Sequence, residues 1–314
     1  MLFNSYSFKA DDGFDIFVYH WNPDNEVKVK GLVQIAHGMA ETAARYERFA
    51  EVLTRNGYAV YANDHRGHGK TAGSLENVGY LAVKDGLELL VNDMHQLSTM
   101  ILNEYPTLPL FLFGHSMGSF AAQRYIMLYG DGLKGVILSG SNGSQPLLHK
   151  IGFFISKCEV KKRGRKTKSH KMNRLSFGSY NKAFKPNRTE FDWLSRDNEE
   201  VDKYISDPYC GNVFTAGFFY DFMKFFKIID EEKNMELLPT NLPIYLFSGD
   251  KDPVGNYGKG VTKLFYAYKK YGIKDITMKL YSGGRHESLN EINRDEVMTN
   301  VVKWLDQKVS LSIK

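Results

Sequence analysis

Leu110-Phe111-Leu112-Phe113-Gly114-His115-Ser116-Met117-Gly118 decides the fold. An apolar run that ends in Gly-x-Ser-x-Gly and passes into a small-residue helical stretch (Ser119, Ala121, Ala122) reads as a buried strand, a sharp turn and a helix. Such a turn lifts the serine hydroxyl above the edge of a sheet. Glycine is needed on both flanks because a side chain there would strike the neighbouring strand or helix. Ser116 is therefore the candidate nucleophile, with His115 filling the variable position of the turn.

Strands of the same kind lie on either side. Gly31–Ala36, Ala59–Ala62, Gly135–Leu138, Ile244–Phe247 and Ile276–Leu280 are short apolar runs, with helical patterns between them. One such pattern is Leu87, Leu90, Val91, Met94, Leu97 and Ile101, closed by Pro106. Alternating strand and helix implies right-handed crossovers and a mostly parallel central sheet with helices on both faces. The first strands, around the turn Asp11-Asp12-Gly13, read as an antiparallel hairpin.

The alternation breaks between 141 and 239, where aromatic residues are dense and no buried-strand run occurs. This stretch is expected to be a helical cap inserted into the core, dividing it into a first part, 1–140, and a second, 240–314. Phe218, Phe219 and Phe222 lie in an apolar stripe at helical spacing and are candidates for substrate contact, against the plainer reading of helix core.

Composition sets outer bounds. With 43% hydrophobic and 25% charged residues the chain is ordinary for a globular protein. No apolar run reaches the ~20 residues of a membrane span, and no secretory leader is legible. Cys158 and Cys210 are too few for a disulfide framework, so a reducing cytoplasm is the expected setting. Between Lys157 and Arg174 stand nine Lys/Arg against Glu159 alone, which exceeds the +5 of the whole chain. That segment reads either as an exposed cap loop or as a surface for anionic membrane. It has no interleaved aromatics between Lys161 and Arg174, so nucleic acid is not an expected partner.

A serine needs a base beside it, and the base needs a carboxylate to fix its tautomer. Of nine histidines only His286 lies beyond the insertion, in a loop between the last strand and the last helix. The acid should leave the tip of the preceding strand, where Asp250 and Asp252 both stand; Asp252, set further into the turn, is preferred. Backbone amides of Met117 and of Met39, in the turn His37-Gly38-Met39, are the candidate oxyanion donors. His65 and His68 lack partners at metal-ligand spacing and are expected to shape their loop. No metal or cofactor is called for.

These residues together resemble the α/β-hydrolases of the monoacylglycerol lipase and lysophospholipase group, also called serine aminopeptidase-like hydrolases. The segments that carry the likeness are His37–Glu41 with Arg45-Tyr46, Asp64–Gly69, Gly114–Gly118, and Gly249-x-x-Asp252 with His286. The resemblance implies Ser116, Asp252 and His286 as triad, and Met39 and Met117 as oxyanion donors. It implies hydrolysis of monoacylglycerol or lysophospholipid, with other small esters or thioesters as the alternative substrates. A non-catalytic binder on the same scaffold would be expected to lack a triad member, and none is missing here.

Overall fold

The computed structural model describes residues 1–310. Its centre is an eight-stranded sheet ordered β1-β2-β4-β3-β5-β6-β7-β8. The hairpin β1 (Leu2–Lys9) and β2 (Asp15–Asn22) pairs antiparallel, and β2 joins β4 (Tyr58–Asn63) antiparallel as well. From β4 onward every pair is parallel: β3 (Gly31–Ala36), β5 (Leu110–His115), β6 (Gly135–Ser139), β7 (Ile244–Gly249) and β8 (Ile276–Tyr281).

Because successive side chains of a strand point to opposite faces, each apolar run feeds two cores. Val33, Ile35, Phe111, Phe113 and Phe247 pack under α1 (Glu47–Arg55) and α10 (Arg294–Ser310). Leu32, Leu110, Leu112, Leu138 and Leu246 pack on the other side, under α2 (Gly86–Glu104), α3 (Met117–Tyr129) and α9 (Lys259–Lys270). The six apolar positions read on α2 are all buried. The strands β3 to β7 are buried along their whole length, so register is strongly fixed.

Between β6 and β7 the chain forms α4 (Pro146–Arg163), α5 (His170–Phe177), α6 (Asn198–Ser206), α7 (Ala216–Asp230) and the single turn α8 (Glu232–Met235). The basic run is not an extended loop. Lys157 to Arg163 complete α4, and Lys171 and Arg174 lie on α5. Several of its charges have structural partners: Arg165 pairs with the buried Asp221 at 2.6 Å, Arg163 with Glu159, and the Lys168 ammonium with the Val78 carbonyl. Long flexible cations of this kind form a helix as readily as most residues do, which is why a charge count alone misreads the segment as a loop.

Candidate active site

The elbow sits where β5 meets α3. Ser116 has φ 52° and ψ −118°, a conformation costly for a residue with a side chain, and its amide is held by the Ser139 carbonyl at 2.9 Å. A Cβ on Gly118 would stand 2.1 Å from the Ala36 carbonyl oxygen, and one on Gly114 would stand 2.5 Å from that of Gly118. Both glycines are thus required by backbone on the far side of a close approach. The Ser119 hydroxyl donates to the Ser116 carbonyl at 2.6 Å and steadies the first turn of the helix.

The Met117 amide opens α3 and the Met39 amide follows the tip of β3. Among the described residues neither has an acceptor, so both are free to donate to an incoming oxyanion. The Met39 turn is shaped from behind. His37 Nε2 accepts from the His65 amide at 2.9 Å, and the Gly38 amide donates to Glu41 Oε1 at 2.5 Å. His65 and His68 are buried against His37, with ring centroids 4.2 and 5.0 Å from it. Burial holds His37 down at about 4 and holds His65 and His68 well below the ordinary histidine value, so all three are neutral at neutral pH.

His286 leaves the turn after β8, and Asp252 leaves the turn after β7. His286 Nδ1 lies 3.0 Å from both carboxylate oxygens of Asp252. The remaining lone pairs of that carboxylate take the Ser248 hydroxyl and the Val254 amide, each at 2.8 Å. Asp250 points elsewhere and accepts the Gly283 amide at 2.8 Å. The structure therefore brings Asp252, and not Asp250, to the imidazole. Burial opposes charge on Asp252, yet His286, Ser248 and Val254 outweigh it and hold the carboxyl below the usual carboxylate range. Burial likewise pulls His286 down, but Asp252 at its edge, with Glu287 and Glu41 beyond, lifts it above the ordinary histidine value. His115, whose ring is 4.7 Å from that of His286, sits at about 4 through burial and through repulsion by its neighbour. Of these imidazoles, His286 alone is poised to exchange a proton near neutral pH.

Ser116 and His286 share the wall of one cavity of about 820 Å³, together with Gly38, Met39 and Trp193. Among the described residues the Ser116 hydroxyl has no hydrogen-bond partner, and such contacts commonly tighten only when substrate is bound. The His286 turn is seated on the insertion, a support the sequence analysis did not foresee. The Trp193 carbonyl accepts from the His286 amide at 3.4 Å, the Leu194 carbonyl accepts from Glu287 at 2.8 Å, and the Trp193 indole lies 5.1 Å from the imidazole. Arg285 donates to the carbonyls of Asp192 and Ser195. An aromatic-rich stretch just upstream was the only sequence signal for this contact.

A second cavity, about 470 Å³ and more apolar, opens at Ser116, Met39 and Met117. Phe219 and Phe222 line it, joined by Phe120, Met223 and Phe226. Phe218 does not. It is turned away from the cavity and packs edge-on against Phe214, with centroids 4.7 Å apart. The stripe on α7 is buried on more than one side, because the helix lies between the cavity and the core. Spacing alone could not separate those sides.

The elbow, the parallel sheet and the paired imidazole and carboxylate define an α/β-hydrolase, the scaffold of enzymes that cleave carboxylic esters. More narrowly, the chain belongs to the serine aminopeptidase S33 family, whose model matches residues 27–293. It is 27% identical over 311 residues to a monoacylglycerol lipase of Mycolicibacterium smegmatis, covering 96% of each chain. It is 28% identical over 304 residues to the monoglyceride lipase of Homo sapiens, covering 95% of this chain and 89% of that one. Among solved structures, a thermostable carboxyl esterase from Bacillus coagulans superposes with a TM-score of 0.89 at 30% identity, covering 98% of this chain and 99% of the other.

Proposed function

We propose that the protein hydrolyses single-chain lipid esters, monoacylglycerols first, through an acyl-enzyme on Ser116. The observation that carries the reading is the apolar cavity that opens at Ser116 and is walled by Phe120, Phe219, Phe222 and Phe226, a shape for an acyl chain. The Ser116 oxygen attacks the ester carbonyl while His286 Nε2 takes its proton, and the oxyanion is met by the Met39 and Met117 amides. The tetrahedral intermediate collapses, the C–O bond to the alcohol breaks, and His286 returns the proton to the leaving oxygen. Water, deprotonated by the same imidazole, then attacks the acyl-serine; the acyl C–O bond to Ser116 breaks, His286 returns the proton to the Ser116 oxygen, and the fatty acid is released.

The alcohol would leave through the larger, more polar cavity. Arg174 at its wall has no anionic partner among the described residues, which favours lysophospholipid as a second substrate. Small esters and thioesters short of a chain would leave the apolar wall unfilled. Hydrolysis rates over a chain-length series of monoacylglycerols, with lysophospholipids and acyl-thioesters alongside, test the reading. Rates that rise with chain length on monoacylglycerol support it, and rates indifferent to chain length would overturn it.

Among the described residues no helix is long and apolar enough to cross a membrane. The proposed setting is the cytoplasm, with peripheral contact at a lipid surface. On α4, Leu147, Leu148, Ile151 and Phe154 are exposed, Phe154 to 68%, and Lys157, Lys161 and Lys162 follow on the same helix. An apolar face rimmed by cations suits an anionic bilayer, each Lys adding ~1 kcal/mol near the surface.

A further inference from the structure

A buried charge cluster stands behind the site and takes no part in the proton transfers above. Arg45 Nη1 donates to Glu41 Oε2 at 2.6 Å and to Glu287 Oε1 at 2.7 Å, while its Nη2 donates to Glu287 Oε2 at 2.7 Å. The three side chains are 11%, 5% and 6% exposed. The guanidinium also lies 4.9 Å above the Tyr204 ring. Burying three charges is costly, and a well-packed apolar trio would often be as stable, so stability alone does not account for the cluster.

Each carboxylate grips a part of the site. Glu41 Oε1 accepts the Gly38 amide at 2.5 Å and the Tyr46 hydroxyl at 3.0 Å, and Gly38 immediately precedes the Met39 donor. Glu287 directly follows His286 and accepts Asn290 at 2.9 Å. These two turns come from β3 and β8, which are separated in the sheet by β5, β6 and β7 and share no ladder. The Arg45 side chain spans them.

We infer that Arg45 is a positioning residue, one guanidinium that fixes the Met39 turn to the His286 turn through Glu41 and Glu287. The gap between oxyanion donor and base, into which the tetrahedral intermediate must fit, is set by that bridge. This rests on the reading of Ser116 as nucleophile and His286 as base. A planar fork is suited to the task, since it meets one carboxylate with two parallel bonds and a second with the same nitrogen; an ammonium cannot.

The cluster also has a charge of its own, one cation against two carboxylates. His286 faces Asp252, His115, Glu41 and Glu287, with Arg45 behind the last two. Bridge and charge can therefore be separated by substitution. The readout is the rate of Ser116 labelling by a fluorophosphonate across pH, with the thermal midpoint measured in parallel, on full-length Arg45→Lys, Arg45→Met and Arg45→Met/Glu287→Gln.

Arg45→Met should label about 100-fold more slowly, the scale of a misplacement near 1 Å, and its acid limb should move to higher pH because two carboxylates then face the base uncompensated. In the double variant the net charge is restored, so the limb should return to its original pH while the rate stays low. Arg45→Lys keeps the charge and should show a lowered rate with an unmoved limb. Full labelling speed in folded Arg45→Met, or in the double variant, would overturn the positioning role. If Arg45→Met does not fold, the charge-balanced double and the lysine variant decide. Wild-type protein that resists the probe altogether would overturn the serine reading itself and this inference with it.

Discussion

The two walls that meet at Ser116 are built differently. One is made of strand tips. Ser116, Asp252 and His286 leave β5, β7 and β8 through turns whose backbone is in close contact, and the imidazole–carboxylate distance of 3.0 Å is set by those turns. The other wall is made of helix side chains, chiefly Phe219, Phe222, Met223 and Phe226 on α7. The first demands particular atoms at particular places, the second only apolar volume. A change of ring on α7 leaves the strand tips where they are, so chemistry and substrate choice can vary separately.

The sharpest break in that comparison is loss of the proposed nucleophile. Ser116→Ala should abolish ester hydrolysis and fluorophosphonate labelling, a loss on the order of 10⁶ in rate, with an unchanged thermal midpoint. Appreciable activity in the pure variant would exclude the mechanism. Next comes the acid. Asp252→Asn should cost roughly 10⁴ by leaving His286 in the wrong tautomer, whereas Asp250→Asn, which removes a charge facing Lys251 and leaves an oxygen to accept the Gly283 amide, should be mild. The opposite order of effects would move the role to Asp250.

The pH profile is a smaller lever. His286 must be neutral to accept a proton, and its pKa is raised, so kcat/KM should fall about tenfold per pH unit below a midpoint that lies above the ordinary histidine value of about 6.5. A midpoint near 4 would exclude His286 as the base. The smallest effects belong to the helical wall. Phe222→Ala should erode the preference for long over short acyl chains, worth ~0.8 kcal/mol per buried CH₂, while sparing acetyl esters. Phe218→Ala, away from the cavity, should cost stability and leave the preference intact. Equal losses on short and long esters in Phe222→Ala would make that ring core and nothing more.

The strand-tip wall was also the more legible in the sequence. Fully buried parallel strands are continuous apolar runs, and a Gly-x-Ser-x-Gly after one of them has few other meanings. Asp250 and Asp252 could not be separated with certainty there, because both sit in one turn and only the third dimension shows which carboxylate faces the imidazole. The helical wall was legible as composition and not as geometry. Phe218, Phe219 and Phe222 share a stripe, yet α7 is buried on several sides, so the face toward the cavity was hidden. The seats of His286 on Trp193 and Leu194, and the bridge from Arg45 to Glu287, join residues far apart in the chain, and no local pattern records such pairs.

The insertion between β6 and β7 is also the connection that carries the chain from one parallel strand to the next. This has a consequence for synthesis on the ribosome. The elbow and its helix emerge early, but β7 can dock on β6 only after the whole helical segment has been made, and His286 emerges later than that. Until then Ser116 has no imidazole or carboxylate beside it, whereas α7 already has α2, α3 and α4 to pack on. On the proposed reading the nascent protein therefore stays hydrolytically silent until its last strand and the turn after it have been made.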